Sequence, residues 1–244
     1  MKLKPRFAGT VMAALAVSMT LSVTLDVSRA LAVGGSELNA NVGVWAPLLP
    51  DLEVPPAGSQ SQDDVGVIVG LSGHHRFEGY RTNIEGSIFY GHAGDTSLFG
   101  FEGLLRDTWE FDFADLSAGG GYSQMTFDQD VGGANLESAF RGAKVVAGWE
   151  SVFGNRPIWI DLGLGLYDLN GTFTSPTGSI QEMSEFTTTY SVALKTDTSL
   201  WGVAARPTLK LEYLSDIATF QGGRLGTDDA VILSAMIELS LLNR

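Results

Sequence analysis

Hydrophobic residues alternate with other residues along many short stretches of the chain. In 199–213, every second position is apolar, so that Leu209 and Leu211 alternate with Lys210 and Glu212. A period of two residues places successive side chains on opposite faces of a β-strand. The same period predicts ten strands, over 37–46, 64–77, 82–92, 97–105, 110–127, 139–152, 157–169, 185–195, 199–213 and 231–241.

Two features of these strands favour a membrane-spanning barrel over a soluble sandwich. The apolar rows are five to seven positions long, close to what a tilted strand of roughly 9–11 residues needs to cross a bilayer. Aromatic residues also cluster near strand ends, as in the girdles of outer-membrane barrels. The alternation slips near Ala114–Asp115, which predicts a β-bulge there. The clustered aromatics are Trp45, Tyr90, Trp109, Phe111, Trp149, Phe153, Trp159, Tyr190, Trp201 and Tyr213.

The links between the strands alternate in length, and this alternation separates the two ends of the fold. Membrane barrels have short periplasmic turns and longer outer loops. We therefore predict a closed antiparallel up-and-down transmembrane β-barrel of ten strands, or of eight if one doubtful pair is dropped. A secreted or periplasmic soluble β-barrel or sandwich that binds a ligand, with the apolar rows turned inward, is the alternative. The short links are 78–81, 106–109, 153–156 and 196–198; the longer set is 47–63, 128–138, 171–184 and 214–228, with 93–96 as a short member.

The N-terminal 32 residues have the pattern of a secretory signal. Lys2, Lys4 and Arg6 precede an uncharged run from Phe7 to Leu25, and Ala30-Leu31-Ala32 offers the small residues of a cleavage site. We predict a signal peptide over 1–32 and a barrel domain over 33–244. An uncleaved helical anchor is the alternative.

Composition and charge narrow the possible functions. The formal net charge is −13, and the predicted signal holds four basic residues and one acidic residue, so the mature chain is more acidic still. A nucleic-acid partner is not expected, because phosphate binding needs a basic face. The absence of cysteine excludes disulfides and cysteine-ligated metals. We predict neither a cofactor nor a metal.

Three segments resemble strands of small Gram-negative outer-membrane barrels, the broad porin-like and OmpA-barrel-like superfamily. The segments are 39–47, which contains Trp45, together with 115–122 and 207–213. The resemblance implies a fold and a location in the outer membrane, and no particular activity. It also implies contact with membrane lipid and lipopolysaccharide, and insertion by the barrel assembly machinery.

If the apolar rows face lipid, the opposite rows face the lumen and bring mixed charges together there. Such charges are costly in a dry core but are accommodated in a wet or ion-paired interior. We expect either a structural network that fills the lumen or the lining of a narrow conduit that prefers cations. The predicted lining is Glu85, Glu102, Lys144, Glu150, Asp161, Arg206, Lys210, Glu212 and Glu238, joined by His74 and Arg76 from the second strand.

The predicted outer loops are strongly acidic. They form either a solvated, repulsive face or a mouth that concentrates small cations. The mouth residues are predicted to be Asp63, Asp64, Asp95, Asp128, Asp130, Asp228 and Asp229.

An enzyme is the less favoured interpretation. Five of the predicted mouth acids would suit an omptin-like surface protease together with His92: Asp63, Asp64, Asp95, Asp228 and Asp229. A lipid-modifying enzyme is a related alternative. No hydrolase, zinc-protease or nucleotide-binding pattern occurs in the sequence. We therefore predict a protein without catalytic residues.

Overall fold

The computed structural model describes residues 35–50, 52–54, 58–60, 64–77, 79–154, 156–200 and 202–243. The predicted signal peptide and its cleavage site, as well as Asp63 and Trp201, lie outside the described residues. No helix in the described ranges is long and apolar enough to cross a membrane.

The fold is a closed antiparallel barrel of ten long strands. Three short strands lie outside this count. Each long strand pairs with its neighbours along the chain, and the last pairs with the first to close the wall. The strands are β1 Gly35–Leu48, β2 Leu52–Val54, β3 Gly58–Gln60, β4 Gly66–Arg76, β5 Thr82–Ala93, β6 Thr96–Glu110, β7 Asp115–Val131, β8 Ala134–Phe153, β9 Arg156–Thr174, β10 Ile180–Thr196, β11 Thr198–Leu200, β12 Val203–Gln221 and β13 Arg224–Asn243.

The prediction of ten strands is confirmed, and the eight-stranded alternative is wrong. Each of the ten predicted stretches overlaps one long strand, and β1 and β13 run antiparallel from Glu37 opposite Asn243 to Leu48 opposite Val231. The short strands stand outside the count, because β2 pairs only with β3 and β11 extends the start of β12. Both ends of the described barrel, at β1 and β13, lie at one rim. The opposite rim is called the outer end below.

The apolar rows point outward around the lower part of the wall. Leu209 is 55% exposed, and Leu162 and Val145 are exposed on neighbouring parts of the barrel. Phe127, by contrast, points inward and is fully buried. A soluble barrel would need the reverse arrangement, because exposed apolar surface of this extent is unfavourable in water. The soluble alternative is therefore wrong for this part of the wall.

The turn after β6 lies five residues later than the sequence predicts. Residues 106–109 continue β6, and the chain reverses at 111–114, where the Phe111 amide donates to the Ala114 carbonyl over 3.1 Å. The slip in alternation at Ala114–Asp115 is thus the end of a turn, not a bulge. A true irregularity occurs elsewhere, between Leu214 and Ile217 of β12.

The prediction of long loops over 128–138, 171–184 and 214–228 is also wrong, since most of these residues belong to strands. β7 to β10, β12 and β13 continue well past the neighbouring strands and end in tight hairpins. Two of these hairpins turn at Gly132–Gly133 and Gly222–Gly223, where all four glycines have φ between 57° and 84°, a backbone conformation that glycine adopts without strain. Together, residues 126–138, 168–188 and 215–230 form an upper wall, called the crown below.

Candidate functional site: the barrel lumen

The lumen contains a polar lower layer that surrounds one cavity of about 470 Å³. All nine side chains predicted to line the lumen lie around this cavity, as does His74. Arg106, Lys195 and Asp115 also line it and were not among the predicted residues. Arg106 was missed because 106–109 was assigned to a turn. With the true strand boundary, its inward position follows from the two-residue period.

Arg106 and Asp161 form the centre of an ion-pair network that crosses the lumen. The Arg106 Nη1 atom lies 2.7 Å from Asp161 Oδ1, and its Nε atom lies 3.1 Å from Glu85 Oε1. Lys195 Nζ approaches the second Asp161 oxygen at 3.1 Å. Because β5, β6, β9 and β10 supply these groups, the network ties opposite parts of the wall together.

A glycine makes room for this network. A Cβ atom at Gly148 would lie 2.4 Å from Ser117 Oγ and 2.8 Å from Asp161 Oδ1. Both distances are far below van der Waals contact, and the Arg106 guanidinium lies close behind. Position 148 therefore cannot carry a larger side chain while the network keeps its present geometry.

Two further cations are paired higher in the same layer. Lys144 donates to Glu102 across the lumen, and the two residues stand on β8 and β6. Lys210 Nζ lies 2.8 Å from Glu212 Oε2 on the same strand. Lys144 and Glu212 are both buried, so their charges depend on these partners for compensation.

Arg206 lines the cavity near the rim where β1 begins and β13 ends. Its Nε atom lies 2.9 Å from Asp197 Oδ1, and its guanidinium carbon stands 4.6 Å from the centre of the Trp159 ring. Nearby, the Thr208 hydroxyl donates to Glu238 over 3.1 Å. The predicted lumen charges thus mostly bind one another or neighbouring polar groups.

Above the cavity, an apolar layer fills the lumen from wall to wall. Phe127, Phe140 and Tyr167 pack edge to face, with ring centres 5.8 and 6.3 Å apart. Every long strand except β10 contributes a buried side chain to this cluster. The cluster consists of Trp45, Leu49, Ile68, Ala93, Leu98, Met125, Phe127, Phe140, Tyr167, Leu169, Leu214, Ile217, Ala230 and Ile232.

The predicted mouth acids that the structure describes are spread over separate turns and strands of the outer end. Asp64 is exposed just before β4, and Asp95 is exposed in the turn between β5 and β6. Asp128 and Asp130 both accept hydrogen bonds from the Asn135 amide.

The remaining acids belong to β13, several strands away. Asp229 accepts a hydrogen bond from the Tyr213 hydroxyl over 2.7 Å, and the Asp228 carboxylate accepts the amide of Asp229. His92 is exposed on β5 beside Val67 of β4 and Ser97 of β6. Among the described residues, no three histidines or acids are arranged to hold a metal.

No protein-family model matches the chain. No curated protein matches it at a significant level either. Solved structures do match. The outer-membrane protease OmpT from Escherichia coli is 6% identical, with a TM-score of 0.53 over 85% of this chain and 96% of that chain. The translocator domain of the autotransporter NalP from Neisseria meningitidis is 11% identical, with a TM-score of 0.48 over 94% and 96%.

At identities this low, the similarity extends to the fold alone and indicates neither a substrate nor an activity for this chain. This chain itself forms a wall of ten antiparallel strands, with apolar side chains pointing outward and charged side chains pointing inward. The chain therefore has the fold of an outer-membrane β-barrel.

Proposed function

We propose that this protein is an integral outer-membrane barrel that does not conduct ions in the conformation described, and that it anchors its crown at the cell surface without acting as an enzyme. The apolar layer carries the proposal. Phe127, Phe140 and Leu169 have no solvent-accessible surface, so no water-filled path passes between them. An ion would have to shed its hydration shell to cross, at a large cost in free energy.

The ion-paired lower layer supports the same function. Charges that bind one another tie the strands together but leave few free groups to receive a permeating ion. The outward rows supply the lipid contact of such an anchor, and the outer leaflet, with its lipopolysaccharide, is the expected surrounding of the upper rows. Insertion is expected to depend on the barrel assembly machinery.

Conductance of the purified, folded protein in a planar bilayer tests this proposal. We expect a silent membrane, with folding verified by heat-dependent mobility on a gel. The double variant Phe127→Ala/Phe140→Ala should give discrete steps because it removes the centre of the apolar layer. Its matched control is Phe99→Ala/Phe101→Ala, which removes two outward aromatics from β6 and should stay silent. Discrete steps from the unaltered protein would overturn the proposal.

A narrow channel that prefers cations is the second candidate, and the cavity favours it by its charge. Seven carboxylates and only five lysine or arginine side chains line the cavity. Asp115 and Glu150 stand directly opposite each other on neighbouring strands at its lower rim. This candidate requires the apolar layer to open, and it predicts cation-selective steps from the unaltered protein in the same bilayer experiment.

A further inference from the structure

One strand of the crown has an edge that no other described strand covers. β10 pairs with β9 along its whole length, from Ile180 to Thr196. On its other side it pairs with β12 only from Thr189 to Lys195. Apart from β12, which borders the same gap, every other long strand of the described barrel pairs on both sides over at least ten residues. The wall is therefore open at one place.

The opening begins at the bulge in β12. Ser215 Oγ accepts the Thr188 amide over 3.2 Å and donates to the Thr188 carbonyl over 2.9 Å, which ends the shared ladder. Two residues, Ser215 and Asp216, then oppose the single residue Asp229 of β13. A bulge of this kind bends its strand and increases its twist. β12 therefore turns away from β10.

Beyond the bulge, the hairpin of β12 and β13 packs against the inner side of the crown. Phe220 stacks on Phe173 of β9, with ring centres 3.6 Å apart. The Leu225 amide donates to the side chain of Gln181 over 3.2 Å. These contacts hold the hairpin against β9 and β10 by side chains, so the backbone edge of β10 stays uncovered.

The uncovered edge, residues 180–186, lies in water-exposed surroundings. Six of its seven residues are exposed, and Met183 is half-buried. Extended backbone at a sheet edge presents unpaired amide and carbonyl groups, which are a template for another strand. Proteins often block such edges with proline, lysine or a bulge, and this segment contains none of the three.

The charge around the edge selects the kind of strand that fits. Glu182 and Glu185 lie on the edge itself, and Glu185 accepts a hydrogen bond from the Thr227 hydroxyl over 3.3 Å. Asp216 lies on β12, which borders the gap, and Asp229 lies next to it on β13. At the two ends of the edge, Ile180 and Phe186 are 62% and 66% exposed and offer apolar contact. A second copy of this acidic edge would be repelled, whereas a basic strand would be attracted.

We propose that the edge of β10 binds an extended, lysine- or arginine-rich peptide segment by β-strand addition. Backbone hydrogen bonds supply the affinity in this mode of recognition, and alternate side chains supply the specificity. The basic side chains of the added strand would lie near Glu182 on one face and near Asp216 or Asp229 at the gap. This inference is independent of whether the lumen conducts.

The test uses the full-length folded protein in a zwitterionic detergent and a fluorescent peptide as long as the edge, in which lysine alternates with valine. We expect saturable binding by fluorescence anisotropy, weakened by added salt. Two further peptides carry N-methyl groups at alternate backbone positions, one in each frame. Both keep every charge, but each loses the amides that point one way. We expect one frame to bind at least tenfold more weakly than the other.

A protein variant tests the charge. Glu182→Lys should weaken binding at least fivefold, whereas Asp95→Lys, the same change in an exposed turn at the same end, should leave it unchanged. Equal binding of the two N-methylated peptides would reduce the interaction to simple charge attraction and overturn the proposal. It would also be overturned by failure of the parent peptide to bind, or by self-association of the protein through Glu182-bearing edges.

Discussion

The lower wall and the crown are built from the same strands but obey opposite rules. Along the outward face of β9, Leu164 and Leu166 in the lower wall give way to Asp168 and Asn170 in the crown. The inward face changes in the other direction, from small and charged residues to buried side chains such as Phe173. The inversion takes place within two residues, so one strand carries two environments.

This inversion shows that apolar side chains turn towards whichever side excludes water. In the lower wall of the proposed membrane anchor that side is the lipid, and the interior receives the charges. In the crown the outward face of the wall meets water, so the apolar residues pack on the inward face, as in a soluble protein. The layer around Phe140 stands where the two regimes meet. It follows that the same substitution should have different effects in the two regions.

The largest effect is expected at that boundary layer. Phe140→Ala should lower the free energy of unfolding by about 3–5 kcal/mol, because it leaves a cavity among buried rings. Urea titration in lipid vesicles, followed by tryptophan fluorescence, measures the loss. A change below about 0.5 kcal/mol, the scale of an ordinary surface substitution, would show that the layer is not packed as described.

A charge on the outward face should separate the two regions most sharply. Leu209→Arg places a cation among lipid chains, at a cost of about 2–4 kcal/mol near the bilayer midplane. Asn170→Arg makes the same addition on the outward face of the crown, where water solvates it, and should change stability by less than about 0.5 kcal/mol. Equal losses at the two positions would mean that the boundary between lipid and water has been misplaced.

The ion-pair network of the lower lumen should show a smaller loss. Asp161→Asn removes the carboxylate that both Arg106 and Lys195 approach, and a hydrogen bond to a charged group is worth about 1.5–3 kcal/mol. The same urea titration measures it, with the exposed turn residue Asp112→Asn as the control. If Asp161→Asn matched its control, the network would contribute nothing net to the stability of the barrel.

The lower wall could be predicted from the sequence because its pattern has one simple cause. Apolar side chains outside and charged side chains inside follow a strict period of two, so strands such as β12 and β13 are evident from their rows of leucine. The nine predicted lumen residues follow from the same period. Their partners do not, because whether Arg106 reaches Asp161 depends on which strands face each other across the closed barrel.

The crown could not be predicted with the same rule, because there the apolar face changes sides. A strand that loses its outward leucines looks like a loop when only the lipid-facing row is counted. The signal was nevertheless present: Tyr167 and Leu169 continue the strand with apolar residues on the opposite face. The inward turn of the hairpin that carries Phe220 had no such signal, because it depends on the bulge at Ser215.

The smallest effect on overall stability should come from the crown itself. Phe220→Ala removes the ring that stacks on Phe173. The strands of the lower wall, including β10 from Thr189 to Lys195, keep their pairing and their outward contacts. We expect the urea midpoint of the barrel to move little, while amide hydrogen exchange in 215–230 becomes faster, because local opening needs less free energy than global unfolding. Phe173→Ala should have the same two consequences. If either variant instead lowered the urea midpoint as much as Phe140→Ala, the crown would fold as one unit with the lower wall. Its inverted pattern would then be a continuation of the same core, not a second, separable one.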